Sequence, residues 1–157
     1  MDELIKIIAF NTVNLVPCSI KEIDEIELKY GFSLPIVYKK FLSSMGKYAE
    51  NFMAGSMCYY EDLDLINKEA VLLLEEGEFC KLPNNAFVFW MHQGYQFAFF
   101  LNGEESDPPV YYYNETIEQN SFIKGFSTLT DFFYSELELS VSAGLLKKPK
   151  LPLIPKL

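Results

Sequence analysis

Arginine is absent from this chain of 157 residues, and histidine occurs once. Without guanidinium groups the chain cannot build bidentate clamps on phosphate, carboxylate or guanine. A single histidine excludes metal sites that need several imidazoles. Positive charge is scarce as well: 13 Lys stand against 22 Asp and Glu, a formal net charge of −9. Nucleic-acid binding rests on cations that displace phosphate counterions, so this balance argues against direct contact with DNA or RNA. Cysteines number three, with no close pair, which fits reduced, inert thiols better than a disulfide framework. No apolar run approaches the roughly 20 residues that span a bilayer. The opening MDELIKIIAF has neither the basic start nor the small-residue cleavage site of a secretory signal. These absences predict a cytoplasmic protein with no cofactor, no metal and no membrane contact.

Apolar residues make up 50% of the chain and aromatic residues 16%, which excludes a disordered or collagen-like polymer. The length favours one domain, able to bury roughly 68–70% of its unfolded surface. Residues 3–10 suit a short opening helix. Ser19-Ile20-Lys21-Glu22 is a capping-box pattern, and Ile20, Ile23, Ile26 and Tyr30 follow on one helical face until Gly31 stops it. A second helix follows Ser33, with Pro35 near its first turn, Val37, Phe41 and Leu42 inward, and Gly46 at its end. Glu27 sits at the edge of the first helix's apolar face, where a carboxylate accepting backbone N–H bonds near the following turn is expected. Residues 47–60 read as a loop with a strand around Met57-Cys58-Tyr59, and a third helix runs from Glu61 to Gly77. Asp62-Leu63-Asp64 starts like a calcium loop, but Asn67 stands where the sharp-turn glycine belongs and Leu73 where the bidentate glutamate belongs.

Ala86–Met91 and Tyr95–Leu101 are nearly continuous apolar runs joined by His92-Gln93-Gly94, which predicts an antiparallel pair covered on both faces. A third strand is expected at Val110–Tyr113, and a last helix capped by Ser127 with Leu129, Phe132, Phe133, Leu137 and Val141 inward. The fold class is therefore α+β, a single domain with a central antiparallel sheet packed with helices. Residues 1–141 form the expected domain. Residues 142–157 hold four Lys and no acid, with Pro149, Pro152 and Pro155 at the three-residue period of polyproline II. The favoured reading of this tail is an extended segment along its own domain or along a second copy, which would make a homodimer. A peptide ligand for another protein is the sharper alternative.

Ile26-Glu27, Gly31, Leu34-Pro35, Tyr38-Lys39, Phe41-Leu42 and Gly46 together resemble the "E-x-x-x-G-x-x-LP-x-x-Y-K-x-F-L" opening of the SUKH superfamily. Leu82-Pro83 leading into Phe87-Val88-Phe89 resembles its second landmark. Met91-His92-Gln93-Gly94-Tyr95-Gln96-Phe97 and Asp107-Pro108-Pro109-Val110-Tyr111 resemble a bacterial branch, so the likeness spans about residues 20–140. The resemblance implies an α+β fold without catalytic residues. Many bacterial members look like immunity proteins that bind and neutralise a toxin of the same cell or its kin. Fungal cell-wall-synthesis regulators are members as well, so an intracellular scaffold or regulator is the alternative.

The candidate partner-binding residues are mostly acids. Glu61, Asp62, Asp64, Glu69, Glu75, Glu76 and Glu78 crowd one segment with only Lys68 between them. Glu104, Glu105 and Asp107 form a second acidic cluster in a loop stiffened by two prolines. A toxin that acts on nucleic acid must present a cationic surface, so the expected partner is a basic cognate toxin, such as a nuclease, met by these acids. His92 and Gln93 join the set as hairpin residues. As a general base His92 would need a nucleophile or carboxylate in hydrogen-bond reach, and no sequence neighbour supplies one. No catalytic residue is expected, and a glycosidase-like carboxylate pair is the residual enzymatic alternative.

Overall fold

A computed structural model describes residues 1–11, 14–103 and 105–147 of the chain. Its elements in chain order are α1 (Asp2–Asn11), β1 (Leu15–Val16), α2 (Ile20–Tyr30), α3 (Ile36–Met45), β2 (Tyr48–Ala49) and β3 (Ser56–Met57), then a 3-10 turn at Tyr60–Asp62. There follow α4 (Leu63–Glu76), β4 (Ala86–His92), β5 (Gln96–Leu101), β6 (Val110–Asn114), β7 (Ile123–Phe126) and α5 (Leu129–Ser142). Strands β3 to β7 form one antiparallel sheet in chain order, and β1 pairs with β2 separately. The α+β class read from the sequence is the observed one.

Local chemistry explains the best-read elements. Ser19 caps α2 through a complete capping box: its hydroxyl accepts the Glu22 N–H at 3.2 Å, and the Glu22 carboxylate accepts the Ser19 N–H at 2.8 Å. Lys47 adds a 2.8 Å bond to the same carboxylate. Lys47 first and Ser19 second hold the Glu22 carboxyl down at about 2. Gly31 ends the helix at φ +74°, the left-handed conformation that glycine adopts without strain. Glu27 then acts as expected, accepting the Leu34 N–H at 2.7 Å and pairing with Lys39 at 2.5 Å. Three landmarks of the family-like opening, Glu27, Leu34 and Lys39, thus meet in one latch between α2 and α3. Glu27→Ala removes the acceptor of a half-buried N–H, and thermal unfolding is expected to show a loss of about 1–2 kcal/mol. An unchanged midpoint would contradict that role.

The sheet buries both faces at its centre, as the continuous apolarity of β4 and β5 predicted. On one face, Tyr38 of α3 and Phe132 and Phe133 of α5 pack edge-on against Phe87, Phe89 and Phe100. On the other, Phe79 and Phe122 cover Tyr113 and Phe99. A register shift between Val88 and Trp90 makes Phe89 a bulge, which puts Phe87, Phe89 and Trp90 on the α5 side together. β3 pairs with β4 only at Met91 and His92, leaving the earlier half of β4 with an unpaired edge. Asn67 of α4 closes it: its amide accepts the Val88 N–H at 3.0 Å and donates to the Val88 C=O at 2.8 Å, as a neighbouring strand would.

Several expectations are corrected. The last helix is capped by Thr128, not Ser127, because Asp131 N–H reaches the Thr128 hydroxyl at 3.0 Å. The third helix starts at Leu63, with Tyr60–Asp62 tightened into 3-10 form. Pro35, expected near the first turn of α3, is its N-cap. His92 is not a turn residue but the last of β4, and Tyr95 lies in the turn instead of in β5. The turn carries positive φ at Gln93 (50°) and Gly94 (77°). Strands β1, β2 and β7 were not foreseen. At the other boundary, α5 runs to Ser142 and Leu146 is buried, while Asn11 bonds both the N–H and the C=O of Lys147. Residues 148–157, with the proline-periodic stretch, lie outside the described residues.

Candidate functional site

Helix α4 buries Leu63, Ile66, Ala70 and Leu74 and turns the opposite stripe outward. Leu65, Glu69, Leu72 and Glu76, spaced four, three and four residues apart, share that outer stripe. Leu65 and Leu72 are each 49% exposed, high for leucine on a helix that has a core to face. Glu61, Glu69, Glu75, Glu76 and Glu78 are exposed and make no ion pair among the described residues. The face is therefore acidic and apolar at once.

Three of the candidate acids are engaged inside the fold. Asp62 accepts the N–H groups of Cys58 and Tyr59, both at 3.0 Å. Asp64 pairs with Lys29 and accepts the Tyr30 hydroxyl at 3.2 Å, and the Lys29 contact holds its carboxyl below the ordinary aspartate range. Asp107 accepts the Thr130 N–H at 2.9 Å, fixing the first turn of α5. Glu105 is exposed nearby, next to Ser106, whose C=O accepts the Val37 N–H of α3. Glu104 lies outside the described residues. The second acidic loop is thus tied to the N-terminal ends of α3 and α5, and its Asp107 carboxylate is already engaged.

His92 and Gln93 part company. Gln93 is exposed at the hairpin tip, whereas His92 is half-buried and lines a cleft of about 400 Å³ between the sheet and α5. Because Ser56 is the cross-strand partner of His92, its hydroxyl lies 3.0 Å from His92 Nδ1. The nucleophile-type neighbour missing from the local sequence is therefore supplied through β3. No carboxylate bonds the ring among the described residues, so a relay of hydroxyl, imidazole and acid is not assembled. The His92 ring stacks parallel on Trp90, 9° apart with centroids at 5.8 Å.

The cleft also holds residues that sequence reasoning passed over. Glu136 of α5 is only 9% exposed, and no hydrogen-bond donor or cation among the described residues meets its carboxylate. Burial pushes its carboxyl up to about 7. Trp90 is 6% exposed, and its indole N–H has no partner. Tyr112 forms part of the wall, its phenol raised by burial. The signal for Glu136 was present, since Leu129, Phe132, Phe133, Glu136 and Ser140 fall on one helical face, an acid standing on an apolar stripe.

Two of the three thiols lie inside the fold. Cys18 and Cys58 are buried, and burial pushes Cys18 up to about 11 and Cys58 well above its ordinary range, so neither is a ready nucleophile. Cys80 is exposed. No helix among the described residues is long and apolar enough to cross a membrane.

Comparison with known proteins places this geometry in context. Residues 17–135, more than half of the chain, match the model of the SMI1 / KNR4 family (SUKH-1). Comparison with curated proteins finds no match. The matched segment holds the Glu27–Leu34–Lys39 latch, the whole sheet and α4, and it stops one residue before Glu136.

Proposed function

Because the chain belongs to the SMI1 / KNR4 family (SUKH-1), we propose that it is a non-enzymatic binding protein of the immunity type, which occupies the basic surface of a cognate toxin domain in the cytoplasm. The observation that carries this reading is the outer face of α4. Free carboxylates at Glu61, Glu69, Glu75, Glu76 and Glu78 flank exposed Leu65 and Leu72. Carboxylates without internal partners steer a cationic surface into encounter, and the leucines between them supply apolar area to bury once contact is made. Asp62, Asp64 and Asp107 hold the scaffold in shape and are expected to matter for stability more than for binding.

The test is coexpression with the toxin-domain product of the adjacent gene. The chain is expected to restore growth and to copurify with that product. Replacing Glu69, Glu75, Glu76 and Glu78 together by lysine should slow association at least about tenfold while leaving the fold intact, since all four are exposed. Undiminished protection by the charge-reversed variant would remove α4 from the interface. If no neighbouring gene product poisons cells or copurifies, the immunity reading fails and a scaffolding role takes its place.

A further inference from the structure

We propose that the cleft between the sheet and α5 receives one arginine side chain of a partner protein, its guanidinium paired with the Glu136 carboxylate and laid against the Trp90 and Tyr112 rings. The inference rests on the reading of the chain as a protein-binding protein and adds the chemistry of a single contact.

The cleft keeps what a folded protein normally avoids. Glu136 is 9% exposed and its carboxylate has no hydrogen-bonding partner among the described residues, which is costly, and so is a buried indole N–H with none. Both residues line one cleft, so a single occupant can lie against both. The groups facing Glu136 from the packed elements are His92 on β4, Tyr112 on β6 and the Cys58 thiol, and none is a fixed cation. His92 is turned toward Ser56 through Nδ1 and stacked on Trp90, leaving the carboxylate unpaired. The raised Glu136 carboxyl agrees with a site that awaits a positive charge.

The chemistry of the walls selects the cation. A guanidinium is planar, donates two parallel bonds to a carboxylate and stacks on aromatic faces, whereas an ammonium is a compact, strongly hydrated point charge. A volume of about 400 Å³ admits one such side chain together with the backbone that presents it. The chain contains no arginine of its own, so a second copy cannot supply this ligand. Glu136, Leu139, Ser140, Ala143 and Leu145 all lie past the segment that matches the family, so this wall is not inherited from the match.

The chain carries one tryptophan, so its indole N–H gives a single, assignable NMR signal at the site. The full-length protein is titrated with the capped peptide acetyl-Gly-Arg-Gly-amide and with its neutral isostere carrying citrulline. The arginine peptide is expected to shift the indole signal saturably and the citrulline peptide to bind at least tenfold more weakly. Glu136→Gln should weaken the arginine peptide at least tenfold as well. An indole signal that ignores the arginine peptide, an equal response to citrulline, or unchanged binding by Glu136→Gln would each overturn the proposal. The titration needs no toxin. Its failure therefore leaves the α4 reading standing, and failure of growth protection with peptide binding intact condemns only the α4 reading.

Discussion

Asn67→Ala is expected to destabilise the fold by about 2–4 kcal/mol, a large effect for an amide on a helix flank. The substitution strands the Val88 N–H and C=O, both of which use Asn67 as their strand-like partner. Each buried backbone group left without a partner costs about 1–3 kcal/mol. No strand can move in to replace the amide, because β3 ends its pairing at Met91 and His92 and α4 occupies the edge beyond. Chemical denaturation gives the magnitude, and amide exchange at Val88 gives the location: protection there should fall further than at Phe99, its partner across β5. Lys68→Ala, one residue along on the exposed side of the helix, should change stability by less than about 0.5 kcal/mol. Equal, small effects at 67 and 68 would show that the amide does not close the edge.

Glu136→Gln is expected to act in the opposite direction. The folded carboxyl titrates at about 7 against an ordinary value of 4.5, so the folded state holds its proton more tightly than the unfolded state. Below about pH 4.5 both states are protonated and the residue carries no ionisation cost. As pH rises from there to about 7, the unfolded chain ionises first and stability falls. Above that the loss is complete, on the order of 3 kcal/mol by the linkage between shift and free energy. Glu136→Gln cannot ionise, so it should unfold several degrees higher than the natural chain at pH 8 and at nearly the same temperature at pH 4. A variant less stable than the natural chain at pH 8 would mean that the carboxylate has a partner that compensates its burial. A residue whose removal stabilises the free protein while weakening ligand binding is the expected signature of a site kept for function.

What could be read from the sequence was what is decided locally. The Ser19–Glu22 capping box, the Gly31 stop and the Glu27 acceptor each depend on residues within a turn or two of one another, and each stands where it was expected. The β4–β5 hairpin was legible because two continuous apolar runs joined by a short polar turn suit little except a buried antiparallel pair. Strand β7 was not, since Ile123-Lys124-Gly125-Phe126 is a short, exposed edge strand whose glycine is required by an approach from elsewhere. A Cβ on Gly125 would lie 2.5 Å from the Tyr112 ring. Thr128 takes the cap over Ser127 because its hydroxyl accepts the Asp131 N–H, while the Thr130 N–H, three residues past Ser127, is taken by Asp107.

The candidate site divides along the same line. A run of acids is visible as a run, so α4 could be named in advance. Which acids are free could not, because Asp64 and Asp107 find their partners through tertiary contacts with residues 29–30 and 130, and Asp62 turns back on the N–H groups of residues 58–59 only once Tyr60–Asp62 tightens into 3-10 form. Asn67 looked like a failed calcium-loop residue and proved to be an edge cap. The cleft was out of reach for a related reason. Ser56, Trp90, His92, Tyr112 and Glu136 come together only after β3 pairs with β4 and α5 docks on the sheet.

The most direct test of the central claim, that the acidic α4 face engages a basic partner, is the association rate between this chain and its toxin domain as ionic strength rises. Between about 0.01 and 1 M salt the Debye length falls from about 30 to 3 Å, which removes long-range steering and leaves short-range packing. The account predicts an association rate that drops steeply over that range, and a flat, slow profile for the variant with lysine at 69, 75, 76 and 78. A rate independent of salt in the natural chain, or a salt dependence that survives the four charge reversals, would contradict it.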